Sequence, residues 1–440
     1  MKMKAIKTVK NTDFIMTETN CPAFEISEIE QPVINVVPEV EYQTIDGFGG
    51  AFTEAAAVSL SKISPEKRSK IIKMYFDKKE GICYNYCRTH INSCDFSEGN
   101  YTYVEEGDNT LATFSVEHEK QYVIPLIKDA LKYNKDIFIF SSPWSPPAYM
   151  KDTKMMNKGG KLLNEYYNLW AEYYVKYIQA FKNEGINISA VTVQNEPKAV
   201  QSWDSCVYTA EEERDFVKNY LGEKMKKIGV KIMFWDHNKE RVMDRASVML
   251  NDKDAASYID AIAVHWYSGN HFEQLDMFHK MYPDKKIVFS EGCYEYSLGK
   301  IDTWSIGEKY AYDMIGDFNN YCNAFTDWNM VLDEKGGPNH VGNYCDAPIM
   351  VDTKNDDIYI HNSYYYIGHF SKYVQRGAKR IGFSKYTDDI SVTAFKNPDG
   401  RIVLIVLNTQ DKEQEYNIRI NNMTALVKSE PHSIITYIIE

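Results

Sequence analysis

No two cysteines in this chain have CxxC spacing, although there are eight in all. Cys21, Cys83, Cys87, Cys94, Cys206, Cys293, Cys322 and Cys345 are scattered, which excludes zinc-finger spacing and leaves buried free thiols as the simplest reading. No apolar run reaches eighteen residues, so no integral membrane helix is expected. There is no basic stripe. The net charge of −12 and a pI near 5.4 argue against nucleic acid as a partner. Internal repeats and low-complexity linkers are missing as well. The opening MKMKAIKTVKNTDF is basic but lacks the apolar centre of a secretory leader. The expected location is therefore the cytoplasm, or outside the cell if a leader was trimmed.

What the chain has is length and aromatic rings. Its 440 residues exceed one ordinary core and suggest a large barrel with a smaller domain. Apolar residues make up 44%, with 33 Tyr, 20 Phe and 7 Trp. Most of these rings should be core, but Tyr and Trp also offer flat apolar faces with a polar tip, which suits sugars.

Eight short β-rich segments recur: 46–52, 83–90, 137–142, 190–195, 231–236, 261–265, 286–290 and 324–329. Amphipathic runs lie between them. Ser64–Pro65 opens one helix, to Phe76, with a cap and a proline at the first helical position. A second is expected over 119–133, a third over 164–185 ending in glycine, and the eighth near 363–372. Strands alternating with helices predict an α/β fold, a (β/α)8 TIM barrel, over residues 44–373. Residues 374–440 alternate apolar and polar positions and turn at Asn397-Pro398-Asp399-Gly400. Together with residues 1–43 they should form a side antiparallel β-sandwich built from both chain termini. Gly47, Gly49 and Gly50 in IDGFGGAF do not fit GxGxxG. They should instead let the first barrel strand bend close to the axis.

In such a barrel, chemistry sits at the carboxyl ends of the strands. The second strand carries Arg88 and His90, with Asp95 just beyond. Trp144 follows the third. The fourth closes on Asn195 and Glu196, with Pro197 fixing the exit. The fifth brings Asp236 and His237, the sixth His265, Trp266 and Tyr267, the seventh Glu291, and the eighth Asp327, Trp328 and Asn329. Glu196 and Glu291 each follow a buried-looking strand. Two carboxyl groups across a barrel mouth suit glycoside hydrolysis, in which one protonates the leaving oxygen and the other attacks the sugar or activates water. Arg88 and Tyr267 could donate to Glu291 and keep it charged. Asn195 could hold the sugar 2-hydroxyl. A lone glutamate at a strand end is more often a cap or a loop charge; the pair, flanked by an amide and aromatics, reads otherwise. His90, Asp236, His265 and Glu291 could suggest a metal, but the first strand has no HxH, so no metal or other cofactor is expected.

These motifs resemble glycoside hydrolase family 30. IDGFGGAFTEAAA, GICYNYCRTHINSCDFS, SSPWSPPAYMK, VTVQNEP, IAVHWY, FSEGC, FTDWN and VGNYCDAPIMVD follow the family in order, over nearly the whole chain from Thr44. The resemblance implies a barrel with a side sandwich and retaining hydrolysis of β-glycosides, most of all in the manner of the family's glucosylceramidase-like β-glucosidases. It also covers β-xylosidases, β-fucosidases and endo-β-1,6-glucanases. By motif it implies Glu196 as acid/base and Glu291 as nucleophile. It further implies Asp95, Trp144, Asn195, His265, Tyr267, Trp328 and Asn343 as substrate contacts, and Arg88 as support for the nucleophile. The substrate expected is a β-glycoside: mono- or oligosaccharide, or glycolipid. The loops over 292–304 and 335–345 should shape the aglycone side. A carbohydrate-binding protein without catalysis would have no need of both glutamates.

Overall fold

A computed structural model of the chain describes residues 1–296 and 303–440. Part of the loop expected on the aglycone side, residues 297–302, lies outside the described residues.

Eight parallel strands close into a barrel: Gly47–Phe52, Tyr86–Ile91, Phe138–Pro143, Ala190–Thr192, Lys231–Asn238, Ile259–His265, Lys286–Glu291 and Cys322–Asn329. Their order around the barrel is their order in the chain. The fourth is the shortest, because its regular ladder stops at Thr192. Beyond it, Val193 N–H donates to Met233 O and Asn195 N–H to Pro143 O, at 3.1 and 2.8 Å. These bonds carry the chain to Glu196, whose φ is 46°. That left-handed backbone is uncommon for a residue with a side chain and clusters at functional sites. Gly49 shows why the first strand is glycine-rich: a Cβ there would lie 2.0 Å from Tyr86 O on the second strand.

Rings and aliphatic side chains fill the space between barrel and helices. The helix Pro65–Phe76 starts as expected, but Ser64 makes no side-chain cap; its N–H donates to Asp356 Oδ1 at 2.8 Å. The helix expected from Glu119 begins only at Val123. Glu119 is instead buried and accepts from the hydroxyls of Tyr101 and Tyr103.

The side domain is a ten-stranded sheet drawn from both ends of the chain. Met3–Val9 pairs in register with Ser433–Ile439, and the Asn397–Gly400 turn joins Ile390–Lys396 to Ile402–Asn408. One junction departs from the expected antiparallel pattern: Val33–Val36 runs parallel to Asn417–Ile420. The strand concerned, Val33–Thr44, also pairs antiparallel with Lys379–Ser384 and leads into the barrel. A further small sheet follows the eighth barrel strand: Val331–Asp333, Ile349–Asp352 and Asp357–Ile360. It frames the loop that carries Asn343.

Candidate active site

Asp236 is the centre of the polar layer under the barrel mouth. It is wholly buried, yet it accepts five hydrogen bonds. Arg88 Nη2, Ser142 Oγ and Thr192 Oγ1 donate to Oδ2 at 2.7, 2.9 and 2.8 Å. His265 Nε2 and Ser290 Oγ donate to Oδ1 at 3.0 and 2.6 Å. The donors come from the second, third, fourth, sixth and seventh strands. Burial alone would raise this carboxyl; the Arg88 guanidinium and the donors hold it well below its ordinary value.

Arg88 is equally buried and divides its protons. Nη1 donates to Glu291 Oε2 at 2.5 Å, Nη2 also reaches Asn195 Oδ1 at 2.9 Å, and Nε donates to Ser142. Its flat cation lies 4.8 Å from the Trp144 ring centre and 5.3 Å from that of Trp328. Those rings stack on one another, with centroids 5.1 Å apart. Tyr267 OH donates to the other oxygen of Glu291 at 2.9 Å.

Glu196 and Glu291 are joined by His265. Its Nδ1 lies 3.2 Å from Glu196 Oε1 and 3.9 Å from Glu291 Oε1. Burial pulls this imidazole down, but Glu291, Asp236 and Glu196 push it up to about 9, so it is an imidazolium at neutral pH. Burial also raises both glutamates. For Glu196, the rings of His237 and His265 outweigh burial and bring the carboxyl below its ordinary value. For Glu291, burial together with the charges of Glu196 and Asp236 prevails over His265 and Arg88. The two carboxyls thus lose their protons as a pair. Hydrogen bonding distinguishes them. Both oxygens of Glu291 already accept, whereas among the described residues no hydrogen bond reaches Glu196 Oε2.

Above this layer is a cavity of about 150 Å³. Asp95, Trp144, Asn195, Glu196, Tyr267, Glu291, Trp328 and Asn343 all line it. His265, expected to touch substrate, does not line it. It is fully buried behind Glu196, with both ring nitrogens engaged. Arg88 likewise sits beneath the floor. Asp95 accepts from Asn339 Nδ2 and Asn343 Nδ2 at 3.3 and 3.4 Å, and burial with the charge of Glu291 pushes it up to about 8. His237, Gln201, Trp203, Cys293 and Cys345 also line the cavity. Sequence patterns gave no function to these last four, because they sit in loops without periodicity. His90 and Glu54 face away: the Glu54 carboxylate meets His118 at 2.7 Å, and its N–H donates to His90. Among the described residues, Glu196, His237 and His265 present metal-type ligand atoms within 4.8 Å of one another. The protonated ring of His265, turned to Asp236, would have to lose a proton to bind one.

A carboxyl pair over an arginine-based polar layer, at the mouth of a (β/α)8 barrel and beside stacked tryptophans, is the apparatus of a barrel glycosidase. The chain belongs to glycosyl hydrolase family 30. The family's TIM-barrel domain matches residues 45–374, and its β-sandwich domain matches residues 377–437. Lysosomal acid glucosylceramidase of Mus musculus is 33% identical over 92% of this chain and 83% of its own length. The crystal structure of SrfJ from Salmonella typhimurium superposes with a TM-score of 0.96 at 36% identity, covering 100% of this chain and 99% of that one. An endo-β1,6-glucanase superposes with a TM-score of 0.89 at 30% identity, covering 99% of each chain.

Proposed function

We propose that this glycoside hydrolase removes a terminal β-linked sugar, glucose first among candidates, by double displacement with retention. The observation that carries this reading is the bridge of His265 between Glu196 and Glu291. The two carboxylate oxygens can be no further apart than its two contacts laid end to end. That length excludes the wide half of the roughly 6.5–9.5 Å range of inverting enzymes and accommodates the ~5–5.5 Å of retaining ones.

In the free site the proton of the pair favours Glu291; a bound sugar shuts water away from Glu196 Oε2, the oxygen of the pair with no donor among the described residues, and so moves the proton to Glu196. Glu196 then gives that proton to the glycosidic oxygen while Glu291 attacks the anomeric carbon from the opposite face. The C–O bond to the aglycone breaks and a glycosyl ester forms on Glu291. Esterification removes the charge of Glu291, so Glu196 becomes the stronger acid, ionises and deprotonates water. That water releases the sugar with its β configuration. Arg88 and Tyr267 hold Glu291 in line. Asp95, still protonated at neutral pH, can both donate to and accept from sugar hydroxyls. The cavity is smaller than the ~300–1,000 Å³ of sites that take drug-sized ligands, which favours one pyranose and therefore exo action.

The likeness to the endo-β1,6-glucanase favours a second reading, cleavage within β-1,6-glucan. Aryl β-glycosides of glucose, xylose, fucose and galactose, assayed beside that polymer, separate the two. Fast release from the aryl glucoside with β-glucose as first product is expected. Oligosaccharides from the polymer without aryl glucoside hydrolysis would establish the endo reading, and an α-anomer as first product would refute retention.

A further inference from the structure

Two thiols meet at the rim of the cavity. Cys293 Sγ lies 3.5 Å from Cys345 Sγ, and both side chains are buried. They come from different elements: Cys293 is two residues past the end of the seventh strand, and Cys345 lies in the loop after the eighth. The two segments run side by side. Asp346 N–H donates to Tyr294 O at 2.8 Å, Tyr296 N–H donates to Tyr344 O at 3.0 Å, and Glu295 bridges Cys345. A disulfide needs its sulfurs at about 2.05 Å. The gap left is the kind that side-chain rotation and a small loop shift close.

The connection to the chemistry is short. Only Gly292 separates Cys293 from Glu291, and Gly292 O accepts from Trp328 N–H at 3.0 Å. Tyr267 OH, which donates to Glu291, lies 3.3 Å from Cys293 Sγ. Moving that sulfur toward Cys345 takes it from Tyr267 and pulls on the backbone of Glu291.

We propose that Cys293 and Cys345 form a reversible dithiol–disulfide switch, closed by a small peroxide, that ties the two rim loops together and stops turnover. Cys293 donates its S–H to Cys345, so Cys345 is the sulfur whose negative charge is supported. Its thiolate attacks hydrogen peroxide, an S–O bond forms, the O–O bond breaks, and hydroxide leaves and takes the proton. The sulfur of Cys293 then attacks the sulfenic sulfur; the S–S bond forms, the S–O bond breaks, and water leaves with the Cys293 proton. Two thiols and one peroxide become one disulfide and two waters, and an added dithiol reverses the change. The hydrogen bond to Cys345 and burial hold the Cys293 thiol well above its ordinary value. For Cys345 that bond acts downward, but burial and the nearby carboxylates outweigh it. Thiolate is therefore scarce, and closure needs sustained exposure. Peroxide reaches the pair through the sugar cavity, which both residues line.

The effect on turnover rests on the glycosidase reading above; the cross-link does not, and the two are measured separately. Purified enzyme is held in hydrogen peroxide, quenched with a thiol-alkylating reagent, and mapped by mass spectrometry without reduction. A peptide joining Cys293 to Cys345 is expected. Hydrolysis should fall by roughly 10²-fold, the scale of an ångström-sized misplacement, and return with dithiothreitol. Cys345→Ser and Cys293→Ser, each compared with its own untreated control, should lose the reversible inhibition. An iminosugar in the cavity should slow cross-linking. Absence of the joined peptide after exhaustive exposure would overturn the proposal, as would inhibition of Cys345→Ser equal to that of the parent. A joined peptide with unchanged hydrolysis would overturn the switch.

Discussion

Arg88 and Asp236 are paired at 2.7 Å with no solvent access to either side chain. Their pairing leaves the second guanidinium nitrogen for Glu291, so one buried cation serves both the central acid of the polar layer and the carboxylate proposed as nucleophile. Replacing Arg88 with Met would leave Asp236 with the His265 imidazolium alone and Glu291 without its guanidinium contact. A loss of ~3–5 kcal/mol is expected for breaking one side of a buried pair. Urea unfolding checks it, and Arg88→Met with Asp236→Asn should recover part of the loss.

Glu291→Gln keeps the shape of the side chain and removes the attacking charge. Turnover of an aryl β-glucoside should fall by about 10³-fold or more while the thermal midpoint stays near that of the parent. A variant retaining near-normal kcat would show that Glu291 is not the nucleophile.

Glu196→Ala separates leaving groups. Substrates with poor leaving groups should lose about 10²–10⁴-fold, the range of general acid catalysis, and activated aryl glycosides much less. Azide should then restore release from the activated substrates, giving the β-glycosyl azide. Equal losses on all substrates, with no effect of azide, would remove Glu196 from this role.

Stability should decline as pH rises from mildly acidic toward 9. His265 titrates near 9 in the folded chain, above its ordinary 6.5. The stability it contributes is complete below 6.5 and lost as pH passes through 9. Asp95 and Asp327, both raised to about 8, act in the same direction. The folded chain keeps their protons between about 4 and 8 while the unfolded chain releases them, so stability falls across that window. Asp95→Asn should flatten that part of the profile, as read by chemical denaturation at several pH values. A profile unchanged by the substitution would show that Asp95 ionises normally.

The barrel was legible because its strands are short apolar runs separated by helical stripes. The expected segments and the observed strands differ mainly at their ends. The fourth was read as 190–195 but is regular only to Thr192, since Val193 to Asn195 bond irregularly to both neighbours on the way to Glu196. The site was legible where a residue stands at a strand end: Glu196, Glu291, Asp95, Trp144 and Trp328 all meet at one cavity. Less legible was the difference between lining the cavity and standing behind what does. His265 reads like a contact, yet the geometry that buries it depends on Asp236, which pattern alone offered only as a doubtful metal ligand. Trp203 and Cys345 reach the cavity on loops whose paths no periodicity describes. The small sheet beside the eighth strand was missed because its segments are only three or four residues long.

The pairing of Met3–Val9 with Ser433–Ile439 has a consequence for synthesis. Met3–Val9 waits for a partner made more than four hundred residues later. Every strand of the barrel is made before that partner; the sheet beside them waits for it. Until Ser433–Ile439 is made, Met3–Val9 has only its hairpin with Thr17–Asn20 and an open edge, a template for wrong pairing.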